Sequence, residues 1–257
     1  MSLIRLDNVT KSFGGDLVLT GVDLRLEEND RIGLIGRNGT GKSTIFRLIM
    51  GETEPDQGLI ERMRRRRCAC LRQLPHFDAK DTIYSMVLRA FKELISMEAE
   101  LEDLGHRLAD DEGLMDTYSV LQERFTVLGG YEYRANIARV LTGLGFAENE
   151  FELPVSALSG GQRTRLMLAI VLLEDADLLL LDEPETHLDL AARDWLESFL
   201  KDWPRAFIII SHDRAMLNAV VNRVVELENG ALSGYTGNYD AFIEQKALVR
   251  EQMQKTF

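Results

Sequence analysis

A glycine-rich segment at residues 36–43 (GRNGTGKS) restricts the possible folds of this chain more than any other feature. It lies between an apolar run at 31–35 and a segment at 43–50 whose apolar residues recur at helical spacing. Strand, glycine-rich turn and helix in this order make a phosphate-binding loop, where backbone N–H groups hold phosphate oxygens. Lys42 would contact the β- and γ-phosphates, and Ser43 would bind Mg²⁺. We therefore expect an α/β nucleotide-binding domain, although a glycine-rich turn by itself is sometimes only structural.

Two carboxylates follow an unbroken apolar run at residues 178–181. Such runs are typical of parallel strands that are buried on both faces. The carboxyl end of a parallel strand is where an α/β sheet binds its ligand. Asp182 is therefore a candidate for the Mg²⁺ shell, and Glu183 is a candidate general base for the attacking water. The alternative is a solvated acidic turn, which the phosphate-binding loop makes the weaker interpretation.

A second candidate anion-binding helix start consists of Ser159, Gly160, Gly161 and Gln162. Ser159 is a favourable N-cap, and the glycines leave backbone N–H groups accessible to a γ-phosphate. One domain does not need two such segments for one nucleotide. We therefore expect each segment to complete the site of a facing domain, although Ser-Gly-Gly alone is also an ordinary helix start.

The remaining pattern predicts the architecture around these motifs. Residues 3–9 and 22–26 read as strands of an antiparallel sheet, and 207–210 read as another buried parallel strand. Between about 81 and 146, apolar residues at helical spacing predict a helical insertion, either a packed subdomain or an arm that contacts a partner. An amphipathic helix is expected from residue 238 onward.

The composition argues against several classes of protein. A net charge of −12 and a pI of about 4.9 argue against a general nucleic-acid or anionic-membrane binder, because both depend on excess Lys and Arg. Apolar runs stay well short of the roughly 20 residues of a membrane-spanning helix, and the N-terminus lacks a signal segment. We expect a cytoplasmic protein with no direct membrane insertion. Cys68 and Cys70 are expected to pack rather than to bind metal.

The three motifs in this order resemble those of the ATP-binding cassette (ABC) superfamily, over essentially the whole chain. The resemblance implies ATP hydrolysis with Mg²⁺, with residues 159–162 docking on ATP bound by an opposite cassette. It also implies that Phe13 stacks on adenine, that Gln73 contacts Mg²⁺ and water, that His212 contacts the γ-phosphate, and that Asp189 lies in the inter-cassette loop. The alternatives are a core Phe13, a surface Gln73 and a helix-capping His212.

Within the superfamily the chain is similar to the ABC-F subgroup in segments 187–190 (HLDL), 211–214 (SHDR) and 235–239 (YTGNY). Members of this subgroup carry two cassettes in one chain and lack a membrane domain, and many act on ribosomes. The resemblance implies the N-terminal cassette of a ribosome-associated translation or resistance factor. Its partner would be a second cassette, either a missing C-terminal half or a second copy of this chain. The alternatives are the ATPase subunit of a membrane transporter and a DNA-maintenance ATPase.

These assignments define the expected domains and site residues. Residues 1–237 form the nucleotide-binding domain with its insertion at about 81–155, and 238–257 begin a linker helix. The residues expected to bind ATP are Phe13, Gly36, Arg37, Asn38, Gly39, Thr40, Gly41, Lys42, Ser43 and Thr44. The expected Mg²⁺ ligands are Ser43, Gln73 and Asp182, and the expected catalytic residues are Glu183, His212 and Gln73. Because transition-state contacts are completed only between two cassettes, an isolated chain should hydrolyse ATP slowly.

Two features need separate interpretations. The ABC-F subgroup usually has Thr-Asn after the proline, but here Pro184 is followed by Glu185 and Thr186. An extra carboxylate beside the Mg²⁺ ligands would weaken nucleotide binding or slow turnover. The other feature is an arginine run, which is either a charged edge strand, the interpretation we favour, or a contact for ribosomal RNA phosphates. Its members are Arg62, Arg64, Arg65, Arg66 and Arg67.

Overall fold

The computed structural model describes residues 2–63, 66–71, 77–78, 80–108 and 111–255. The strands are β1 (Ser2–Phe13), β2 (Asp16–Glu27), β3 (Arg31–Ile35), β4 (Gln57–Arg62), β5 (Cys68–Cys70), β6 (Leu178–Asp182), β7 (Ala206–Ile210), β8 (Arg223–Glu228) and β9 (Ala231–Thr236). The α-helices are α1 (Lys42–Met50), α2 (Ile83–Leu88), α3 (Lys92–Arg107), α4 (Met115–Val127), α5 (Tyr133–Gly143), α6 (Gly160–Leu173), α7 (Leu190–Asp202), α8 (Arg214–Val220) and α9 (Tyr239–Lys255). Short 3₁₀ turns lie at Arg89–Phe91, Glu112–Leu114, Glu148–Glu150 and Val155–Ala157.

The chain divides into two compact units, residues 1–72 with 175–257 and residues 73–174. In the first unit, an antiparallel sheet has the order β2-β1-β4, and a second sheet has the order β5-β6-β7-β3-β8-β9. The second sheet is parallel except at β9, which is antiparallel to β8. This arrangement confirms the predicted α/β class. The extents of the nucleotide-binding domain and of the linker remain predictions.

The order of the central strands positions the candidate site. β6, β7 and β3 are adjacent and parallel, so their carboxyl ends lie at one edge of the sheet. Every residue of β7 is buried, as the unbroken apolar run predicted. The loops that follow these strands carry the glycine-rich segment, the acidic pair Asp182 and Glu183, and His212.

Helix α1 shares a hydrophobic core with both sheets of the first unit. It buries one face and ends at Gly51, whose left-handed backbone (φ 75°) allows its N–H to bond the Leu48 carbonyl. Arg62 in β4 reaches the same helix end and donates from Nε to the Ile49 carbonyl at 2.9 Å and from Nη2 to the Leu48 carbonyl. Carbonyl groups at the end of a helix lack intrahelical partners. Arg62 therefore stabilises the C-terminus of α1.

The other described arginines of the run also have acidic or carbonyl partners inside the chain. Arg66 donates to Asp177 at 2.8 Å and to Glu28 at 2.6 Å, and Arg67 donates to Asp175 at 2.9 Å. Arg64 and Arg65 lie outside the described residues. The prediction of a solvated charged edge is therefore wrong for Arg62, because its side chain donates hydrogen bonds to the C-terminus of α1.

The second unit is helical, as predicted. Its first helix, α2, begins with a capping box between Thr82 and Ser85. A 3₁₀ turn at Arg89–Phe91 separates α2 from α3, and none of its three residues is fully buried. The central helix is α6, whose residues from Leu166 to Leu172 are all buried. In the described ranges, no helix is long and apolar enough to span a membrane.

An irregularity in the antiparallel sheet provides a test of the fold. The register of β1 and β4 shifts between Asp7 and Thr10, and Asn8 adopts a left-handed φ of 49°. Gly58 in β4 has φ +89°, and a Cβ atom there would lie 2.3 Å from the Asn8 carbonyl oxygen. Gly15 has a similar φ of +96° but open space around it. Comparing alanine substitutions at Gly15 and Gly58 therefore separates the cost of a left-handed backbone from the cost of steric overlap.

We predict that Gly58→Ala destabilises the protein far more than Gly15→Ala. The Gly15 substitution should lower the free energy of unfolding by about 1 kcal/mol, from the left-handed backbone alone. The Gly58 substitution should lower it by about 3 kcal/mol, because a backbone carbonyl cannot move aside as a flexible side chain can. Urea denaturation followed by circular dichroism measures both values. Equal losses would contradict the close approach of β4 to the Asn8 bulge.

Candidate nucleotide-binding site

The glycine-rich segment lies tightly against neighbouring strands. A Cβ atom on Gly36 would lie 2.5 Å from the Leu227 carbonyl oxygen in β8. A Cβ atom on Gly41 would lie 2.5 Å from Cγ1 of Val18 in β2, and the φ of Gly41 is +106°. Side chains would therefore force the loop out of position. Glycine at these two positions lets the backbone curve closely enough to present its N–H groups to an anion.

Lys42 lies inside this curve. Its side chain is only 8% exposed, and Nζ donates to the Gly36 carbonyl at 2.9 Å and the Arg37 carbonyl at 3.1 Å. Helix α1 begins here after Gly41, and no side chain among the described residues caps its first turn. Uncapped N–H groups and an ammonium group next to them form a region that favours an anion.

Ser43 and Asp182 are brought together from distant parts of the chain. The Ser43 hydroxyl donates to Oδ2 of Asp182 at 2.9 Å, across a sequence separation of 139 residues. A hydroxyl and a carboxylate are the hard oxygen ligands that Mg²⁺ prefers. The two side chains therefore fit a shared magnesium ion. Gln73, the third expected ligand, lies outside the described residues.

Glu183 and His212 face each other beyond this pair. His212 Nε2 lies 3.4 Å from Oε1 of Glu183, and both side chains are exposed. Glu183 has a left-handed φ of 47°, and its N–H bonds the Ile210 carbonyl at 2.8 Å. A non-glycine residue in this conformation carries a cost of about 1–2 kcal/mol, and such strain occurs frequently at functional sites. The N-cap of α8 is Asp213, so His212 does not take the capping role considered above.

Two cavities in the first unit are lined by residues of the glycine-rich segment. One has a volume of about 350 Å³ and the other about 430 Å³, and Lys42 lines both. Expected site residues that line the first are Asn38, Gly39, Gly41, Lys42, Ser43, Thr44, Asp182 and Glu183. Expected site residues that line the second are Gly36, Arg37, Lys42 and His212. Thr40 donates from its hydroxyl to the Arg37 carbonyl at 2.9 Å and so stabilises the loop.

Phe13 is a surface residue at the end of β1. Its side chain is 43% exposed, which excludes the alternative of a core aromatic. The Lys11 ammonium lies 5.4 Å from the centre of its ring. An exposed ring face can stack on a base.

The segments of this chain that are expected to contact an opposite cassette lie at helix starts. In the second unit, Ser159 caps α6: its hydroxyl accepts from the Gln162 N–H at 3.2 Å, and Gln162 Oε1 accepts from the Ser159 N–H at 3.0 Å. Apart from its chain neighbours and its own helix backbone, no described residue has a heavy atom within 4 Å of where a Cβ atom on Gly160 would lie. In the first unit, Asp189 caps α7 by accepting from the Ala192 N–H at 2.9 Å. The predicted N-cap role of Ser159 is confirmed.

Sequence reasoning missed the contact that Glu185 makes. This side chain is only 9% exposed, and its Oε1 accepts from the Ser211 hydroxyl at 2.5 Å and from the His212 N–H at 3.3 Å. The sequence-based expectation treated Glu185 only as an extra charge beside the Mg²⁺ ligands. One available signal was Ser211, a hydroxyl directly after a wholly apolar strand, which needs a partner when buried.

Asp182 also affects a thiol on the neighbouring strand. Cys70 lies in the edge strand β5, next to β6. Burial of this side chain, together with the negative charge of Asp182, raises the pKa of the Cys70 thiol to about 11. The thiol therefore reports on the charge at the candidate metal site.

Comparisons with known proteins give consistent matches. A family model described as ABC transporter matches residues 19–186, and a second model with the same description matches 225–257. Over its full length the chain is 39% identical to YdiF of Bacillus subtilis (strain 168), of which it spans 41%. It is 36% identical, over 95% of the chain, to ABC transporter F family member 5 of Arabidopsis thaliana, of which it spans 36%. It is 34% identical, over 96% of the chain, to the ATP-binding protein Uup of Haemophilus influenzae, of which it spans 38%.

Among solved structures, the fold matches one described as the ATP binding subunit of an ABC transporter. The TM-score is 0.70 at 21% sequence identity, covering 96% of this chain and 94% of the other. The chain thus spans about two fifths of the length of the three relatives, yet nearly all of this solved structure.

We predict that removing the charge of Asp182 makes Cys70 more reactive. In a Cys68→Ser background, Asp182→Asn should lower the pKa of the Cys70 thiol from about 11, but not to its ordinary value, because burial persists. The thiolate fraction at pH 9 then rises, and alkylation by iodoacetamide should be faster than in the Cys68→Ser background alone. Asp202→Asn, an exposed substitution in α7, is the control and should leave the rate unchanged. Equal alkylation rates in the Asp182→Asn and Asp202→Asn variants would show that the charge of Asp182 does not affect the Cys70 thiol.

Proposed function

The chain belongs to the ABC transporter family, and from that premise we propose that it is an ATP-hydrolysing cassette of a cytoplasmic, two-cassette ABC-F protein that acts on ribosomes. The observation that carries the proposal is the 2.9 Å contact between Ser43 and Asp182. This contact joins the phosphate-binding loop to the acidic end of β6, which is the arrangement that ATP hydrolysis with Mg²⁺ requires. Similarity to ABC transporter F family member 5 supports the subgroup.

The glycine-rich loop would bind the phosphates of ATP. Lys42 would exchange its bonds to loop carbonyls for contacts with the β- and γ-phosphates, and the free N–H groups of α1 would add donors. The exposed ring of Phe13 would stack on adenine. The loop is thus the anchor of the proposed site.

Ser43 and Asp182 would hold Mg²⁺, with Gln73 as the third proposed ligand. Bound Mg²⁺ neutralises negative charge that develops on the phosphate oxygens. The 2.9 Å separation means that little movement of these side chains is needed for both oxygens to bind one ion.

Glu183 would act as the general base, and His212 would support it. The Glu183 carboxylate is exposed at the strand end, where it can accept a proton from water. The His212 ring, 3.4 Å away, can orient this carboxylate and contact the γ-phosphate. Together they would activate one water for attack.

A second cassette would complete the site. Ser159, Gly160, Gly161 and Gln162 form an exposed or half-exposed helix start in the second unit, and helix starts bind anions. We propose that this segment docks on ATP held by another cassette, with Asp189 in the loop between the two. The partner is either a C-terminal half or a second copy of this chain.

We predict that Glu183→Gln traps bound ATP. The substitution keeps the shape of the side chain but removes the base, so the turnover rate should fall by about 100-fold or more, while ATP binding persists. Association into pairs should increase with ATP. Single-turnover ATPase assays and sedimentation velocity measure both effects, and Glu197→Gln, which weakens an ion pair with Lys201 in α7, is the control.

Two outcomes would contradict this mechanism. Unaltered hydrolysis in Glu183→Gln would exclude Glu183 as the base. A turnover rate per molecule that is the same in dilute monomeric and concentrated protein would exclude a site shared between two cassettes.

We also predict that the trapped variant binds ribosomes in the presence of ATP. Tagged Glu183→Gln protein should sediment with ribosomes and not with membrane vesicles. The Lys42→Ala substitution, which weakens ATP binding, should abolish this sedimentation with ribosomes. Sedimentation with membranes alone would favour the alternative of a transporter subunit. This result would leave the ATPase assignment intact.

A further inference from the structure

Glu185 is a buried carboxylate with an unusual set of partners. Among the described residues, the buried polar or charged side chains are Lys42, Glu185 and Ser211. Oε1 of Glu185 accepts two hydrogen bonds, whereas Oε2 is buried with no hydrogen-bond partner among the described residues. Burying an incompletely paired carboxylate is costly. A buried carboxylate with an unpaired oxygen is unusual in a folded protein, and one explanation is that Glu185 has a role at a neighbouring site.

The contacts of Glu185 connect two loops at the same edge of the sheet. Glu185 follows β6, and its partners Ser211 and His212 follow β7. The Ser211 hydroxyl also accepts from the Asp213 N–H at 2.9 Å, and Asp213 caps α8 through the Ala215 N–H at 2.9 Å. The start of α8 is thus joined to the loop after β6 through one buried hydroxyl.

His212 lies between Ser211 and Asp213, which these hydrogen bonds hold in place. Its backbone N–H bonds Oε1 of Glu185, and its ring nitrogen Nε2 lies 3.4 Å from Glu183. Glu183 and Glu185 are two residues apart in one turn, which the Thr186 N–H to Glu183 carbonyl bond closes at 3.0 Å. This turn therefore contacts His212 at two places: Glu185 accepts a hydrogen bond from its backbone N–H, and Glu183 lies next to its ring.

We propose that Glu185 is a positioning residue that holds His212 against Glu183. Its carboxylate fixes the backbone at Ser211 and His212, and this limits the positions that the imidazole can reach. The effect on turnover rests on the proposed ATPase function, but the effect on the position of the histidine does not.

Two other roles for Glu185 make different predictions. If its main effect were an added negative charge near Mg²⁺, neutralising it would tighten ATP binding. If it only stabilised the fold, its loss would reduce the amount of folded protein without changing the turnover rate per folded molecule. Glu185→Gln and Glu185→Ala together separate these cases, because glutamine keeps an acceptor oxygen at the place of Oε1 and alanine removes it.

The kinetic experiment compares four variants at Glu185 and Ser211 with one control variant elsewhere in the chain. Glu185→Ala should lower kcat about tenfold, the order expected when a hydrogen bond to a charged group is lost, while KM for ATP changes less than twofold. Glu185→Gln should restore most of kcat. Ser211→Ala tests the same connection without removing the carboxylate, and the double variant Glu185→Ala/Ser211→Ala should be no worse than Glu185→Ala. Glu61→Gln, exposed in β4, is the matched control and should behave as the unaltered chain.

A second measurement does not depend on hydrolysis. NMR spectra of the histidine rings in nucleotide-free protein should show a displaced or broadened His212 signal in Glu185→Ala and in Ser211→Ala. The signal should stay in place in Glu185→Gln, and the exposed His106 of the second unit should be unchanged in all variants. The His212 signal is assigned by its loss in His212→Asn.

The outcomes are distinct. A His212 signal that is unmoved in both Glu185→Ala and Ser211→Ala overturns the proposal, as does a tighter KM for ATP in Glu185→Gln at unchanged kcat. A displaced signal in Glu185→Ala whose kcat equals that of the unaltered chain supports the positioning of His212 and instead rejects the proposed role of His212 in hydrolysis. If Glu185→Ala does not fold, Ser211→Ala decides the question by both readouts.

Discussion

The hydrogen bond between the Ser43 hydroxyl and the Asp182 carboxylate is the contact on which the candidate site depends. It joins the start of α1 to the end of β6, across the intervening strand β7. This is possible because β3, β7 and β6 run in parallel, so that polar residues after each strand meet at one edge. The buried apolar runs of β6 and β7 thus determine where the polar residues of the site lie. Core packing and site geometry are, in this unit, consequences of the same strand order.

Much of this arrangement was predictable because its signals are local. The glycine-rich segment, the apolar run before Asp182 and the helix start at Ser159 each combine residue types within a few positions. Other features were not predictable, because they depend on pairs of polar side chains far apart in the sequence. Glu185 finds Ser211 across 26 residues, and Arg62 finds the end of α1 across a turn and part of a strand. Hydrophobic periodicity carries no information about such pairs. The exposure of Phe13 also depends on how the whole sheet packs.

Several polar residues that the family resemblance expects to contact an opposite cassette already have partners within this chain. Ser159 and Gln162 bond each other's backbone, and Asp189 bonds the first turn of α7. The proposed docking on another cassette would therefore add to these capping bonds or compete with them. Gly160 has no side chain, so it cannot itself compete for the backbone N–H groups next to it. The capping bonds also keep both helix starts ordered, which lowers the entropy lost on docking.

The left-handed backbone at Glu183 has a consequence for engineering. At a φ of 47°, glycine and asparagine are the residues that the backbone itself favours. A redesign that optimised only folding stability would choose one of them and would discard the carboxylate in the process. If Glu183 is the proposed general base, glutamate at this position sacrifices local conformational preference for chemistry. Thermostabilised versions of this chain should leave residue 183 untouched and seek their gains at sites remote from the strand end.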